Sequence, residues 1–175
     1  MKKLILVVVI SVFGLINVIA QSTVAHVNTQ RILDTMPSRK AAIKQMEQFE
    51  ERAMQELQET QAKLQSDYQK LMAEKDNMVP TAFKFEENRL MKKSQEFQQR
   101  QQELEQEIQI LGNELNEPIL DRVQKAIEIV CKYEKIDYVM DETGLLYAKG
   151  KDITNKVIKE VMVLEENPIK PSVSN

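Results

Sequence analysis

The sequence predicts an α+β fold in which a small β body carries a long antiparallel α-helical coiled-coil hairpin. Three observations predict it. Apolar heptads run through the middle of the chain, the two halves of that stretch mirror each other about residue 81, and short alternating apolar segments stand near both ends. Composition agrees. The 175 residues include no Trp and only 4 Gly, and Gln, Glu, Lys, Leu and Met fill the middle, a mixture that favours long helix.

Lys2 and Lys3 precede an apolar run from Leu4 to Ile19, and Val18-Ile19-Ala20 ends it before Gln21. A charged start, a short apolar stretch and small or aliphatic residues at −3 and −1 read as a cleaved signal peptide over 1–20. The run is shorter than the roughly 20 residues of a spanning helix, although an uncleaved membrane anchor is the competing reading of the same stretch. No Cys directly follows it to receive a lipid. Cleavage would leave a net charge of about −5, from 22 basic and 27 acidic residues. A nucleic-acid partner normally requires a basic face, so that class is excluded.

Thr23 to Asn28 reads as a short strand, with Thr29 to Thr35 as a helical turn before Pro37. From there to about Lys135 only Pro80 and Pro118 interrupt helical composition. One heptad position holds Ile43, Glu50, Leu57, Leu64, Leu71 and Met78; after Pro80 another holds Phe83, Leu90, Phe97, Leu104 and Leu111. A seven-residue apolar repeat marks a supercoiled seam. Partners in an antiparallel hairpin have residue numbers with a constant sum. Met78 with Phe83, Leu71 with Leu90, Leu64 with Phe97 and Leu57 with Leu104 all add to 161. A second seam adds to 162: Lys75 with Glu87, Tyr68 with Ser94, Gln61 with Gln101, and Met54 with Ile108. The tip falls at 76–81, where Pro80 cannot continue the first helix but can open the second. Gly112 and Pro118 are candidates for a bend where arm joins body.

Leu120, Val123, Ile127 and Val130 extend the helical spacing. Ile136 to Met140 alternates as a strand, Asp141 to Gly144 is a turn, and Leu145 to Ala148 is a returning strand. Asp152 is the candidate N-cap of a last helix with Val157, Ile158 and Val161 on its apolar face. The chain thus divides into a signal peptide (1–20), a body (21–36 and 119–163), an arm (37–118) and a flexible tail (164–175). Three short strands make a thin core with exposed edges, which predicts oligomerisation through the body.

Three stretches resemble the Skp/OmpH family of periplasmic chaperones: Val24-Ala25-His26-Val27-Asn28 running on to Leu33, the Gln/Glu/Lys-rich hairpin, and the C-terminal segment. The last is the most specific, with Ile136-Asp137-Tyr138-Val139-Met140-Asp141, Leu145-Leu146-Tyr147-Ala148 and Asp152-Ile153-Thr154. The resemblance spans about residues 21–163. It implies a homotrimer with an intertwined β body and three helical arms around a cavity. It also implies a periplasmic, ATP-independent holdase that keeps unfolded outer-membrane β-barrel proteins soluble, with at most peripheral membrane contact. The chain departs from the best-known members, which are strongly basic, in having an isoelectric point near 5.4. A structural or adaptor coiled-coil protein of the cell envelope is the alternative.

A holdase needs apolar side chains left uncovered by the seam. The off-seam candidates for client binding are Phe49, Met72, Phe85, Met91 and Ile110; packing against the seam flank is the competing reading for each. Met72 and Met91 add to 163 and would be neighbours. No nucleophile–base pair, metal cluster or phosphate loop is visible, so neither an enzyme nor a cofactor is expected. His26 is the only histidine and reads as a strand residue, since a triad or a His-pair metal site has no second member. Cys131 reads as a small buried hydrophobe, with a contact between subunits as the other option. Glu103 to Glu107 and Glu165-Glu166 read as solvated charge.

Overall fold

The computed structural model describes residues 22–167; the predicted signal peptide and the end of the predicted tail lie outside them. The elements are β1 (Val24–Val27), α1 (Thr29–Thr35), α2 (Pro37–Glu74), a 3-10 turn (Lys75–Asn77), α3 (Pro80–Glu134), β2 (Tyr138–Asp141), a second 3-10 turn (Glu142–Gly144), β3 (Lys151–Asp152) and α4 (Thr154–Glu166).

Local chemistry sets most of these boundaries. Asn28 caps α1, its side-chain oxygen accepting from the Arg31 N–H at 2.8 Å. Pro37 and Pro80 each open a long helix, where a missing N–H leaves no bond unmade. At the far end of α3, Lys135 takes a left-handed conformation with φ of 54°, a position most helices give to glycine. Gly112 and Pro118 both lie inside α3, which continues through them to Glu134.

β1 is the centre of a three-stranded sheet ordered β2-β1-β3, and both neighbours run parallel to it. Val24 pairs with Tyr138, Val27 with Asp141, and His26 with Asp152. Parallel strands need a crossover, and the whole helical hairpin is the crossover from β1 to β2. One core joins the sheet to the helices. It takes Ala25 and Val27 from β1, Ile32 and Leu33 from α1, Ile119, Val123, Ala126 and Val130 from α3, and Val157, Val161 and Leu164 from α4, with Met36, Ile136 and Ile153 from the connections. The α3 and α4 sets recur every three or four residues, so each helix turns one face inward. Each such aliphatic side chain is stabilised by roughly 1.5–3 kcal/mol over its exposed state.

The structure differs from the sequence expectation at the C-terminal end. Leu145 to Ala148 forms no strand; a 3-10 turn precedes it and the third strand comes later, at Lys151–Asp152. A return beside β2 would have placed Leu146 and Tyr147 where they gain no cover, and both are highly exposed here. By crossing instead to the free edge of β1, the chain buries Ile153, Thr154 and Val157, and the Asn28 N–H donates to Thr154 Oγ1 at 3.0 Å. Asp152 stands one residue before the N-cap position, held by Ile153, and accepts from the Thr154 N–H at 2.8 Å. The last helix also runs further than expected. Leu164 and Glu165, assigned to the tail, belong to α4 and pack on the body.

The long helices α2 and α3 fold back on one another. At 1.5 Å per residue α2 is about 57 Å long. Leu71 and Leu90 are 6% and 8% exposed, and Leu104 is also buried, while Leu57, Leu64, Phe83 and Phe97 are half-buried. The first mirrored seam is therefore the packed one. The second is not: Met54 and Tyr68 are 62% and 53% exposed. In the 162 register Tyr68 is opposite Ser94 and Gln61 opposite Gln101, so these layers lack the matched apolar partners needed to close. Ile43 is also exposed. A Cβ at Gly112 would stand 3.8 Å from Met46 Cε; Met46, one turn further along α2 than Ile43, is the side chain that fills the space over the glycine.

Candidate functional site

The unclosed second seam gives the hairpin two unlike flanks about its Leu64–Phe97 layer. On one flank charges join the helices. Lys93 Nζ donates to Asp67 Oδ2 at 3.0 Å. Arg100 Nε donates to Glu56 Oε1 at 2.8 Å across the hairpin, and its Nη1 donates to Glu107 Oε1 at 2.8 Å along α3. These partners hold the Glu56 and Asp67 carboxyls below their ordinary range, through the hydrogen bonds from Arg100 and Lys93 respectively. They raise the Arg100 guanidinium further, chiefly through Glu56.

The other flank is an open groove of about 750 Å³. Leu64, Leu71, Leu90 and Phe97 form its apolar floor, and Gln61, Tyr68, Met91 and Ser94 stand along its sides. Serine and glutamine are too short or too polar to fill a heptad layer, which leaves Leu64 and Phe97 half-buried. An arrangement of this kind can hold apolar side chains of many sequences.

The five candidate contact residues are spread along the arm. Met91 lines the groove and is well exposed. Phe85 lies near the tip and Ile110 near the root, and both project into solvent. Met72 is exposed as well, and it is not among the residues that line the groove. Phe49 is half-buried, with the Arg52 guanidinium 5.9 Å from its ring centroid. Tyr68, Met54, Val79 and Ile43 are further exposed apolar side chains of the arm. The spacing of the first two fits a seam; the polar Ser94 opposite Tyr68 in the 162 register is the signal that Tyr68 stays outside, whereas Met54, opposite Ile108, carries no such signal.

In the body, His26 is 7% exposed, and Nδ1 meets no hydrogen-bonding group among the described residues. Cys131 is half-buried beside the core, and burial pushes its thiol pKa up. Among the described residues no three His, Cys, Asp or Glu side chains gather where they could hold a metal ion. No described helix is long and apolar enough to cross a membrane.

A family model for OmpH-like outer membrane proteins matches residues 23–161, so the chain belongs to the OmpH-like family. Among its relatives, the protein named chaperone protein Skp from Photorhabdus laumondii is 36% identical over 144 residues, 81% of this chain and 87% of that one. The chaperone protein Skp of Pectobacterium atrosepticum is 33% identical over the same shares. The crystal structure of an OmpH-like protein from Caulobacter crescentus superposes with a TM-score of 0.73 at 18% identity, covering 82% of this chain and 86% of that one. The two share a fold.

Proposed function

We propose that this chain is an ATP-independent holdase chaperone of the periplasm. It binds unfolded outer-membrane β-barrel proteins along its helical arm and keeps them from aggregating. The observation that carries the reading is the half-closed hairpin, whose half-buried Leu64 and Phe97 and exposed methionines line an arm rooted in a separate core. Relatives named chaperone, matched over four-fifths of the chain, support it. The contacts are Phe49, Met72, Phe85, Met91 and Ile110, joined by Tyr68 and Met54. Each contact is weak. Several on one arm, repeated in other copies, become intramolecular once the first forms and so hold a long client firmly.

The assembly belongs to the same proposal. Tyr138 and Met140 on β2, with Leu146 and Tyr147 after it, leave apolar side chains exposed on one small body. The outer edges of β2 and β3 have no further strand beside them among the described residues. A homotrimer formed through this surface covers both liabilities, and three arms then surround one cavity. Export by a cleaved signal peptide places it in the periplasm.

The test is aggregation of an unfolded barrel protein on dilution from denaturant, without nucleotide, with native mass measured in parallel. Suppression by the wild type is expected, together with a trimer mass. Loss of suppression is expected when the five residues are changed together to Ser or Gln and the trimer mass is retained. Undiminished suppression by that variant would remove the contact set. A pull-down that returned one folded envelope protein and no unfolded barrels would favour an adaptor instead.

A further inference from the structure

The arm's thioethers form a group that the holding reaction alone does not explain. Met54 is 62% exposed, Met91 57% and Met72 39%, whereas Met36 in the body core is fully buried. All three exposed residues lie on α2 or α3, outside the packed leucine seam. The seam itself is closed by Leu71, Leu90 and Leu104, which mild oxidants do not attack. Competing nucleophiles are scarce. The sequence has no Trp, and its one Cys is half-buried with a raised thiol pKa, so little of it is the reactive thiolate.

We propose that Met54, Met72 and Met91 are oxidant-modification sites, and that their conversion to sulfoxides by hypochlorous acid or a hydroperoxide switches off client holding while leaving the fold intact. The functional half of this inference rests on the chaperone reading. Each thioether sulfur gives up an electron pair and takes one oxygen atom. Hypochlorous acid thereby becomes chloride and a proton, and a hydroperoxide becomes an alcohol or water. The product is polar and chiral where the parent was apolar and flexible. Met91 stands beside the Leu71–Leu90 floor of the groove, so a sulfoxide there sets a strong acceptor at the entrance that apolar client side chains must use. The buried leucine layers of the seam lose nothing, because none of the three oxidised sulfurs lies in them; Met78, the seam's own methionine at the tip, is half-buried. The reaction is undone by the sulfoxide reductases that act on the two sulfoxide epimers, which makes the change a switch. Met140 is also exposed on the single chain, but it lies on the surface proposed to meet other copies and is expected to be spared in the assembled protein.

The experiment titrates the full assembled protein with hypochlorous acid, maps sulfoxides by peptide mass spectrometry, and assays holding of an unfolded barrel protein before and after. Met54, Met72 and Met91 should oxidise roughly tenfold faster than Met36. Holding should fall as they do, with helicity unchanged, and should return after treatment with both reductases. Whatever holding the M54L/M72L/M91L variant, nearly volume-conserving, shows before treatment, the oxidant should leave it unchanged. Oxidation of Met36 in step with the arm residues would overturn the site assignment. Parallel loss of holding by wild type and variant would overturn the switch. Failure of the untreated wild type to hold at all would overturn the chaperone reading and the switch with it, whereas the site map is decided by the mass spectra alone.

Discussion

Ser38 and Glu165 are 127 positions apart and joined twice: the Ser38 N–H donates to one Glu165 carboxylate oxygen at 3.0 Å and its hydroxyl to the other at 2.6 Å. Arg122 Nη1 donates to the same carboxylate at 3.1 Å. The contact therefore ties the first turn of α2 and the root of α3 to the last turn of α4. An acid facing the start of a helix is also favoured by the helix dipole. Residues 162–167 lie beyond the stretch matched by the family model. Glu165→Ala should lower stability by about 2 kcal/mol, since it leaves partly buried donors unpaired. Thermal unfolding reads it directly; a melting temperature unchanged from wild type would mean that the clasp contributes nothing.

The same pair shows where sequence reading stops. Leu71 and Leu90 were legible as partners because a seven-residue repeat and a constant sum are both local arithmetic. Glu165 looked like tail because Glu-Glu-Asn-Pro has no apolar periodicity; its role comes only from Ser38 and Arg122, which no short window contains. Met54 and Tyr68 were misplaced for a related reason. Their spacing fits a seam, yet Ser94 opposite Tyr68 cannot complete a layer, and the matched Met54–Ile108 layer stays open beside the glutamine layer next to it. Leu145 to Ala148 has a strand's composition, but the free edge of β1 is taken up by Lys151–Asp152, whose advantage is the burial of Ile153 and Val157 further on. Four of the five candidate contact residues are exposed on the arm, as off-seam spacing requires; exposure alone does not say what they bind.

Leu71 and Leu90 should be coupled energetically. Both are nearly covered, they are mirrored about the tip, and they share the groove floor. Leu71→Ala and Leu90→Ala should each cost about 2–3 kcal/mol of arm stability. The double variant should cost less than the two together, by more than about 0.5 kcal/mol. Hydrogen exchange of the amides near the tip measures this, because the arm can open without unfolding the body. Strict additivity would mean that the two leucines do not share a layer.

Acid should loosen arm and body together, though with different salt dependence. On the arm, the Arg100 and Lys93 hydrogen bonds keep Glu56 and Asp67 low. In the body, the Thr29 and Thr143 hydroxyls lower Asp141, Thr154 lowers Asp152, and Lys156 followed by Lys151 lowers Glu134. A carboxyl whose folded pKa lies below its unfolded one contributes stability above the unfolded value and loses it as pH falls through the folded value. Stability should hold from neutrality down to about pH 5 and decline below about pH 4. Exposed ion pairs are screened by salt whereas hydroxyl-to-carboxylate bonds are much less so. Added salt should therefore weaken the Glu56 and Asp67 contribution and spare that of Asp141 and Asp152. Denaturant melts across this range, repeated for Glu56→Gln and Asp152→Asn, check it; an Asp152→Asn variant whose acid profile matched the wild type would contradict the assignment.

Lys135 is the one described non-glycine residue with positive φ, and its side chain is what makes the conformation costly. Its neighbour imposes the strain: the Ile136 N–H must reach the Cys131 carbonyl at 3.0 Å, and the Ile136 side chain must turn into the core. A lysine there recovers part of the cost by facing the negative end of α3. Removing the Cβ relieves the left-handed strain, worth roughly 1–2 kcal/mol, while a glycine loses more freedom on folding, roughly 0.5–1 kcal/mol. The balance favours glycine. Lys135→Gly should raise stability by about 0.5 kcal/mol, whereas Lys135→Val, branched at the strained atom, should lower it by about 1 kcal/mol or more. Equilibrium unfolding of the two variants beside the wild type tests the order, and a valine variant as stable as the glycine one would show that the helix end does not adopt this turn.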